Sequence, residues 1–264
     1  MSHQARKRFG QNFLIDSRVI DLIIQSINPE AGQTLVEIGP GLGALTLPLL
    51  KKAGRLNVIE LDRDVIPLLK DKCEGSGELI VHNIDVLNFD FNTLVEADSK
   101  LRLIGNLPYN ISTPILFKLL EHAEHIQDMF FMLQKEVVKR MAAGPDCGAY
   151  GRLSIMLQYH CKVTELFGVP PEAFDPQPKV DSAIINLQPR LPECPVTNYP
   201  LLETLVRQAF STRRKTIRNT LKTTCSVEDL QAVGIDPGAR PENIAPLAYY
   251  QLCNYLDKKS HEAQ

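Results

Sequence analysis

The chain has 264 residues, 44% of them hydrophobic, a length that supports one large core and a smaller satellite domain. A formal charge of −2 and an isoelectric point of about 6.3 exclude a whole-molecule attraction to nucleic acid, so any such binding must come from local patches. Cys73, Cys147, Cys161, Cys194, Cys225 and Cys253 are scattered, without a Cys-x-x-C pair or a nearby His at metal-ligand spacing; this excludes a zinc site of that kind and a disulfide frame. No apolar run is long enough to span a bilayer, and the basic start lacks the apolar stretch of an export signal. A soluble cytoplasmic protein with no membrane partner and no metal is expected, acting as a monomer.

After Arg6-Lys7-Arg8, the residues Val19, Ile20, Ile23, Ile24 and Ile27 keep helical spacing behind Asp16 and Ser17, either of which can cap. Short apolar runs then alternate with helical patterns. Strands are predicted at Thr34–Ile38, Leu56–Leu61, Leu79–Ile84, Leu101–Ile104 and Met129–Leu133. Apolar strands without polar alternation, joined by helices, imply a parallel sheet covered on both faces. Thr113 and Pro114 open a further helix. The segment Arg152–Cys161 reads as helical, and Val163–Val169 and Ala183–Leu187 as a last pair of strands around the proline-rich loop Pro170–Lys179. Four prolines from Pro189 to Pro200 mark a linker, and every later pattern is helical. The division expected is therefore a catalytic domain over residues 1–188, a linker over 189–195 and a small all-α domain over 196–264.

Three features carry chemistry. Val36-Glu37-Ile38-Gly39-Pro40-Gly41-Leu42-Gly43 puts a glycine-rich turn between the first strand and a helix, where the backbone can approach a ligand closely. Glu60 ends the second strand, where an acid can take both hydroxyls of a ribose, and Asp85 ends the third. Either acid alone reads as a helix cap; together with the turn they fit a nucleoside cofactor. Gly39-x-Gly41-x-x-Ala44 also satisfies a dinucleotide fingerprint, but the acidic Glu37 and the loop closing the fourth strand speak against a nicotinamide.

That loop is Gly105-Asn106-Leu107-Pro108-Tyr109-Asn110. Alone it reads as a tight turn. An Asn oxygen and a backbone carbonyl stiffened by Pro108 can also accept from a planar amino group while Tyr109 offers a ring for stacking, which describes a pocket for an amine on an aromatic ring such as adenine N6.

Seven blocks in order resemble the ribosomal RNA adenine dimethyltransferases that act on small-subunit RNA. They are Gly10-Gln11-Asn12-Phe13-Leu14, Glu37 to Gly43, Glu60-Leu61-Asp62, Asn106 to Tyr109, Tyr150 to Ser154, Phe174-x-Pro176-x-Pro178-Lys179-Val180-Asp181-Ser182 and Arg213-Arg214-Lys215-Thr216. The resemblance implies an α/β fold, a Rossmann-like S-adenosylmethionine-dependent methyltransferase sheet with a small C-terminal all-α domain. It implies S-adenosyl-L-methionine as donor, contacted by Asn12, Leu14, Gly39, Glu60, Asp85 and Asn106, with Gly41 in the same turn. The substrate implied is 16S rRNA in the 30S subunit or a late precursor, dimethylated at N6 of two adjacent adenines near its 3′ end. The catalytic set is Asn106, Leu107, Pro108, Tyr109 and Phe174. For Phe174 the residue pattern leaves a core position and a stacking position equally open, and the resemblance favours stacking.

RNA contact is expected from two patches. Arg207, Arg213, Arg214, Lys215, Arg218 and Lys222 lie in a stretch with no acid, and at about 100° per residue Arg214, Lys215, Arg218 and Lys222 would share one arc of a helix beside Ile217 and Leu221. Arg6, Lys7 and Arg8 read as a frayed terminus or as a flap that orders with cofactor or RNA. Two other readings remain: a large-subunit rRNA adenine methyltransferase, favoured less by the blocks around Phe174 and Arg213, and a mainly non-catalytic assembly or nucleic-acid-binding factor on the same fold.

Overall fold

A computed structural model describes residues 12–96, 99–109, 111–212 and 214–262. Arg6, Lys7, Arg8, Asn110 and Arg213 lie outside the described residues. The chain opens with a two-residue strand β1 (Phe13–Leu14) and helix α1 (Ser17–Ile27). There follow β2 (Thr34–Ile38), α2 (Thr46–Ala53), β3 (Arg55–Ile59), α3 (Val65–Cys73), β4 (Glu78–His82), β5 (Leu101–Asn106), α4 (Ser112–Leu120) and β6 (Ile126–Gln134). Next come α5 (Lys135–Ala142), α6 (Arg152–His160), β7 (Cys161–Val169), β8 (Phe174–Asp175) and β9 (Ser182–Pro189), and last α7 (Tyr199–Ala209), α8 (Ile217–Thr220), α9 (Val227–Ala232) and α10 (Pro246–Glu262).

Seven strands form one sheet in the order β4-β3-β2-β5-β6-β9-β7. From β4 to β6 all neighbours are parallel, and β9 runs antiparallel to β6. β2, β3 and β5 are buried almost from end to end, as their unalternating apolar sequences require. The chain moves outward from β2 through β3 to β4, then returns to β5 on the other side of β2. Loops leaving β2 and β5 therefore part in opposite directions, and the gap beyond their carboxyl ends is the usual ligand position in such sheets. The seven expected strands are all present with ends shifted by a few residues. β1 and β8, which pair antiparallel, were not foreseen, since two-residue strands show no periodicity.

Asp16 caps α1 by accepting from Arg18 N at 2.9 Å, and Asn28 ends it in a left-handed conformation with φ 45°. Ile23, Ile24 and Ile27 give α1 its buried stripe. Its last carbonyls meet Arg102, a β5 residue only 5% exposed. All five guanidinium N–H groups are engaged: Nε and one Nη2 hydrogen on Asp128 of β6, both at 2.9 Å, the other on Ile27 O at 2.7 Å, and Nη1 on Gln33 Oε1 at 2.8 Å and Asn28 O at 3.4 Å. This buried fork joins α1 to the amino-terminal ends of β5 and β6.

The chain divides into two compact units, Met1–Val138 with Thr164–Pro189, and Lys139–Val163 with Arg190–Gln264. A boundary at 188 would leave residues 139–163 in the first unit, whereas they cluster in the second. Hydrogen bonds show why: Tyr150 Oη donates to Ile244 O at 2.9 Å and Tyr250 Oη to Ile155 O at 3.0 Å. The expected linker is also tied down within this unit, with Arg190 N on His160 O at 2.8 Å, Val196 N on Tyr159 Oη at 3.0 Å, and Thr197 Oγ1 on the buried Asp257 at 2.6 Å. Leu202, Leu205, Val206 and Ala209 of α7 are buried, as are Tyr249, Tyr250, Leu252 and Cys253 of α10.

The basic stretch departs from expectation. Helix exists only over Ile217–Thr220, so Arg214, Lys215, Arg218 and Lys222 do not form a stripe on one continuous helix. Tertiary bonds replace helical ones: Ile217 N donates to Ala239 O at 2.8 Å and Arg218 N to Pro237 O at 3.3 Å. The surrounding Thr216, Thr220, Thr223 and Thr224 are weak helix formers. All four cations are exposed, held at the surface by the fully buried Ile217 and Leu221.

Removing one partner of the Arg102 fork leaves a buried charge uncompensated. Asp128→Ala is expected to lower the unfolding free energy by about 3–5 kcal/mol, measured by denaturant titration. A loss below about 1 kcal/mol, the size typical of an exposed pair, would contradict this account.

Candidate active site

Beyond the carboxyl ends of β2, β3 and β5 lies a cavity of about 360 Å³ within the first unit. Its floor is the glycine turn. Gly39 and Gly41 adopt φ 69° and 53°, conformations that side-chain-bearing residues rarely take. Gly39 N donates to Ile59 O at 2.9 Å, tying the turn to β3. Phe13 of β1 lies over it, and a Cβ at Gly41 would come within 3.2 Å of the Phe13 ring. From α3, Lys72 Nζ donates to Leu42 O at 2.8 Å.

Three carboxylates face this cavity. Glu60 is 8% exposed; its Oε1 accepts from Asp62 N at 2.8 Å and its Oε2 from Gly41 N at 3.4 Å. Burial raises its pKa, opposed by those backbone donors. Asp85 accepts from Leu87 N at 3.0 Å, so it caps a short turn and lines the cavity at once. Glu37, 2% exposed, is pushed up to about 7 by burial; Glu60 adds to the rise and Lys72 opposes it. Glu37 Oε2 is buried with no hydrogen-bond partner among the described residues. An unpartnered buried acceptor on a cavity wall is one that a bound donor group would satisfy.

Apolar residues complete the wall. Leu61 and Ile84, next to Glu60 and Asp85, are large side chains left 50% and 37% exposed. The sequence reading missed both, as it missed Lys72, Ile111 just before α4, and Ile115 of α4 at the cavity edge. The signal for Leu61 and Ile84 was available, because each is an apolar residue just past a strand end and beside an acid.

Opposite the glycine turn stands the loop after β5. Asn106 Nδ2 donates to Asn12 O at 3.1 Å, which leaves Oδ1 as the free end of the amide. Leu107 N donates to Met132 O at 3.2 Å, and Ser112 Oγ, at the start of α4, to Tyr109 O at 3.3 Å. Tyr109 is half-buried, with its hydroxyl 2.6 Å from Ser182 Oγ. Asn12, Leu14, Gly39, Gly41, Glu60, Asp85, Asn106, Leu107, Pro108 and Tyr109 are thus brought to one cavity. Phe174 is not. It is 1% exposed, its backbone pairs with Leu14, and its ring belongs to the core with Leu14, Val169 and Ala173. Of the two positions its sequence allowed, the structure gives it the core one, and the stacking role is corrected accordingly.

A seven-stranded mixed sheet, parallel from β4 to β6, with a glycine turn after its first long strand, acids at the next two strand ends and an Asn-Leu-Pro-Tyr loop beyond the fourth defines an S-adenosylmethionine-dependent methyltransferase with a Rossmann-like fold. Residues 2–258 match the model of the family described as ribosomal RNA adenine dimethylase. The chain belongs to that family. It is 58% identical over 255 residues to the ribosomal RNA small subunit methyltransferase A of Pseudomonas aeruginosa, covering 96% of this chain and 95% of the relative. Among solved structures it is similar to a dimethyladenosine transferase from Plasmodium falciparum, with TM-score 0.80, 27% identity and coverage of 94% and 98%. It is also similar to the 23S rRNA methyltransferase ErmE, with TM-score 0.73, 27% identity and coverage of 93% and 100%.

The Glu37 carboxyl ionises at an ordinary 4.5 when exposed and holds its proton to about 7 when folded, so the folded chain binds more protons between those values. Its contribution to stability is complete below the lower value and is lost as pH rises through the upper one, by roughly 3 kcal/mol at about 1.4 kcal/mol per unit. Glu37→Gln should flatten this decline in denaturant titrations across the same range, with the part contributed by Glu60 remaining. An undiminished decline would assign the titration to another group.

Proposed function

We propose that this protein dimethylates N6 of two adjacent adenines near the 3′ end of 16S rRNA, using S-adenosylmethionine, on the cytoplasmic 30S subunit or a late precursor. The observation that carries the chemistry is the Asn106 amide: with Nδ2 committed to Asn12 O, its oxygen is the acceptor left for an amine entering the cavity. The choice of small-subunit RNA is supported by 58% identity to a small-subunit enzyme against 27% to ErmE, a 23S enzyme. The intact Asn106-to-Tyr109 loop supports catalysis over a purely structural role in assembly.

The residues present fit the donor. Leu61 and Ile84 would supply faces for a purine, Asp85 an acceptor for it, Glu60 a carboxylate for the ribose, and the Gly39–Gly41 backbone and the cavity-lining Asn12 and Leu14 a surface for the remainder. Acids at the ends of β3 and β4, Glu60 and Asp85, suit a ligand that carries positive charge. When bound, S-adenosylmethionine supplies a methyl group on a cationic sulfur.

The protein's own work is to position and polarise the acceptor. Adenine N6 is a poor nucleophile because its lone pair is delocalised into the ring. Asn106 Oδ1 and the Leu107 carbonyl accept its two hydrogens, which draws the lone pair back onto nitrogen and directs it across the cavity. Unstacking the base costs a few kcal/mol, and the Tyr109 face returns about 1–3 kcal/mol. Proton loss from the product ammonium needs no strong base. RNA outside the cavity is held by exposed cations, Arg214, Lys215, Arg218 and Lys222 in the second unit, with Arg213, Arg6, Lys7 and Arg8 adding to them.

Asn106→Ala should reduce methyl transfer about 10²-fold or more in kcat while weakening donor binding far less. Near-normal turnover of labelled donor on undermethylated small subunits would remove the polarisation step. Charge reversal at Arg214 together with Arg218 should weaken RNA association and flatten its salt dependence, by about 0.7–0.9 in log–log slope for each phosphate that is no longer neutralised. An unchanged slope would remove this patch from the RNA surface.

A further inference from the structure

Ser182 is the first residue of β9, 0% exposed and paired with Gln134 of β6. Its setting is rigid. The preceding Asp181 accepts from Lys135 N at 2.9 Å through its carbonyl and from Lys135 Nζ at 3.2 Å through its carboxylate. From this anchored position the Ser182 hydroxyl shares a 2.6 Å hydrogen bond with Tyr109 Oη.

The bond differs in kind from the others that hold the acceptor loop. Leu107 N on Met132 O and Ser112 Oγ on Tyr109 O fix the backbone. Ser182 acts on the ring. A tyrosine side chain has two main torsions, and a fixed Cα and fixed hydroxyl leave mainly rotation about the ring axis. Phenolic hydrogen bonds favour the ring plane, so the direction to Ser182 selects one plane in preference to others.

We propose that Ser182 is a positioning residue for methyl transfer: its hydroxyl, held by β9, sets the plane of Tyr109 and so the angle at which a stacked purine presents its amine to Asn106 and Leu107. The inference rests on the stacking role proposed above for Tyr109. Ser182 touches neither substrate nor donor and acts only through the tyrosine ring.

The test compares Ser182→Ala, Tyr109→Phe, their combination and Tyr109→Ala in the full-length protein. Methyl transfer to undermethylated small subunits is followed, together with quenching of 2-aminopurine placed at the target position of an RNA fragment, which reports stacking. Ser182→Ala and Tyr109→Phe should each lower kcat about tenfold, within the loss of up to about 10² that a small misplacement causes, with KM and donor affinity little changed. Each should weaken the quench, and the combination should be no worse than the worse single variant, because both remove the same bond. Multiplying losses, or wild-type turnover by Ser182→Ala, would overturn the inference. If Ser182→Ala fails to fold, Tyr109→Phe decides, since wild-type turnover there overturns it equally. Wild-type turnover by Tyr109→Ala would instead overturn the stacking role itself, whereas an inactive Tyr109→Ala beside a fully active Ser182→Ala removes only the part given to Ser182.

Discussion

The centre of the sheet depends on one close approach, between Gly105 near the end of β5 and the Ile38 carbonyl at the end of β2. A Cβ on Gly105 would lie 2.5 Å from that oxygen and 3.1 Å from Leu107 Cδ2. No side chain fits, so the two strands close up where the chain reverses its direction of growth across the sheet. This puts Asn106 directly across from the glycine turn, where a Cβ on Gly39 would meet the Asn106 carbonyl at 3.7 Å. Acceptor loop and donor floor are adjacent because nothing larger than hydrogen stands between their strands.

Around that junction polar and apolar functions are separated. Below it, in the mostly apolar sheet interior, the charge of Arg102 is absorbed by Asp128 and the end of α1. Above it, three carboxylates and Lys72 ring the cavity, and one of those acids keeps its proton up to about 7 because burial disfavours its charge. The first arrangement stabilises the scaffold and the second prepares a surface for a cation. The Arg102 fork lies at the amino-terminal ends of β5 and β6 and the acids at the carboxyl ends of β2, β3 and β4, so the demands of one do not disturb the other.

The parts legible in the sequence were those in which function follows local order. Strand ends, the glycine turn, Glu60, Asp85 and the Asn106 loop are each read within a few residues, and in a parallel sheet strand ends necessarily share an edge. The parts not legible depend on partners distant in sequence. Phe174 is core because Leu14 pairs with it; Ile217 begins a single turn because Ala239 takes its first N–H; residues 139–163 join the second unit through Tyr150 and Tyr250. Lys72 and Ser182 belong here too, since neither an α3 lysine nor the first residue of a late strand announces the loop it reaches. Periodicity reports how buried a residue is, and gives little about which distant atom it meets.

The pairing of β1 with β8 bears on when the site comes into being. Phe13 and Leu14 are translated well before their partners, Asp175 and Phe174. Until then Phe13 has no fixed place over the glycine turn, and Asn12 no fixed carbonyl to offer Asn106. A chain that has not yet reached Phe174 and Asp175 carries the turn and the acceptor loop but lacks the strand that pairs with Phe13 and Leu14, so competence for chemistry waits on that later segment.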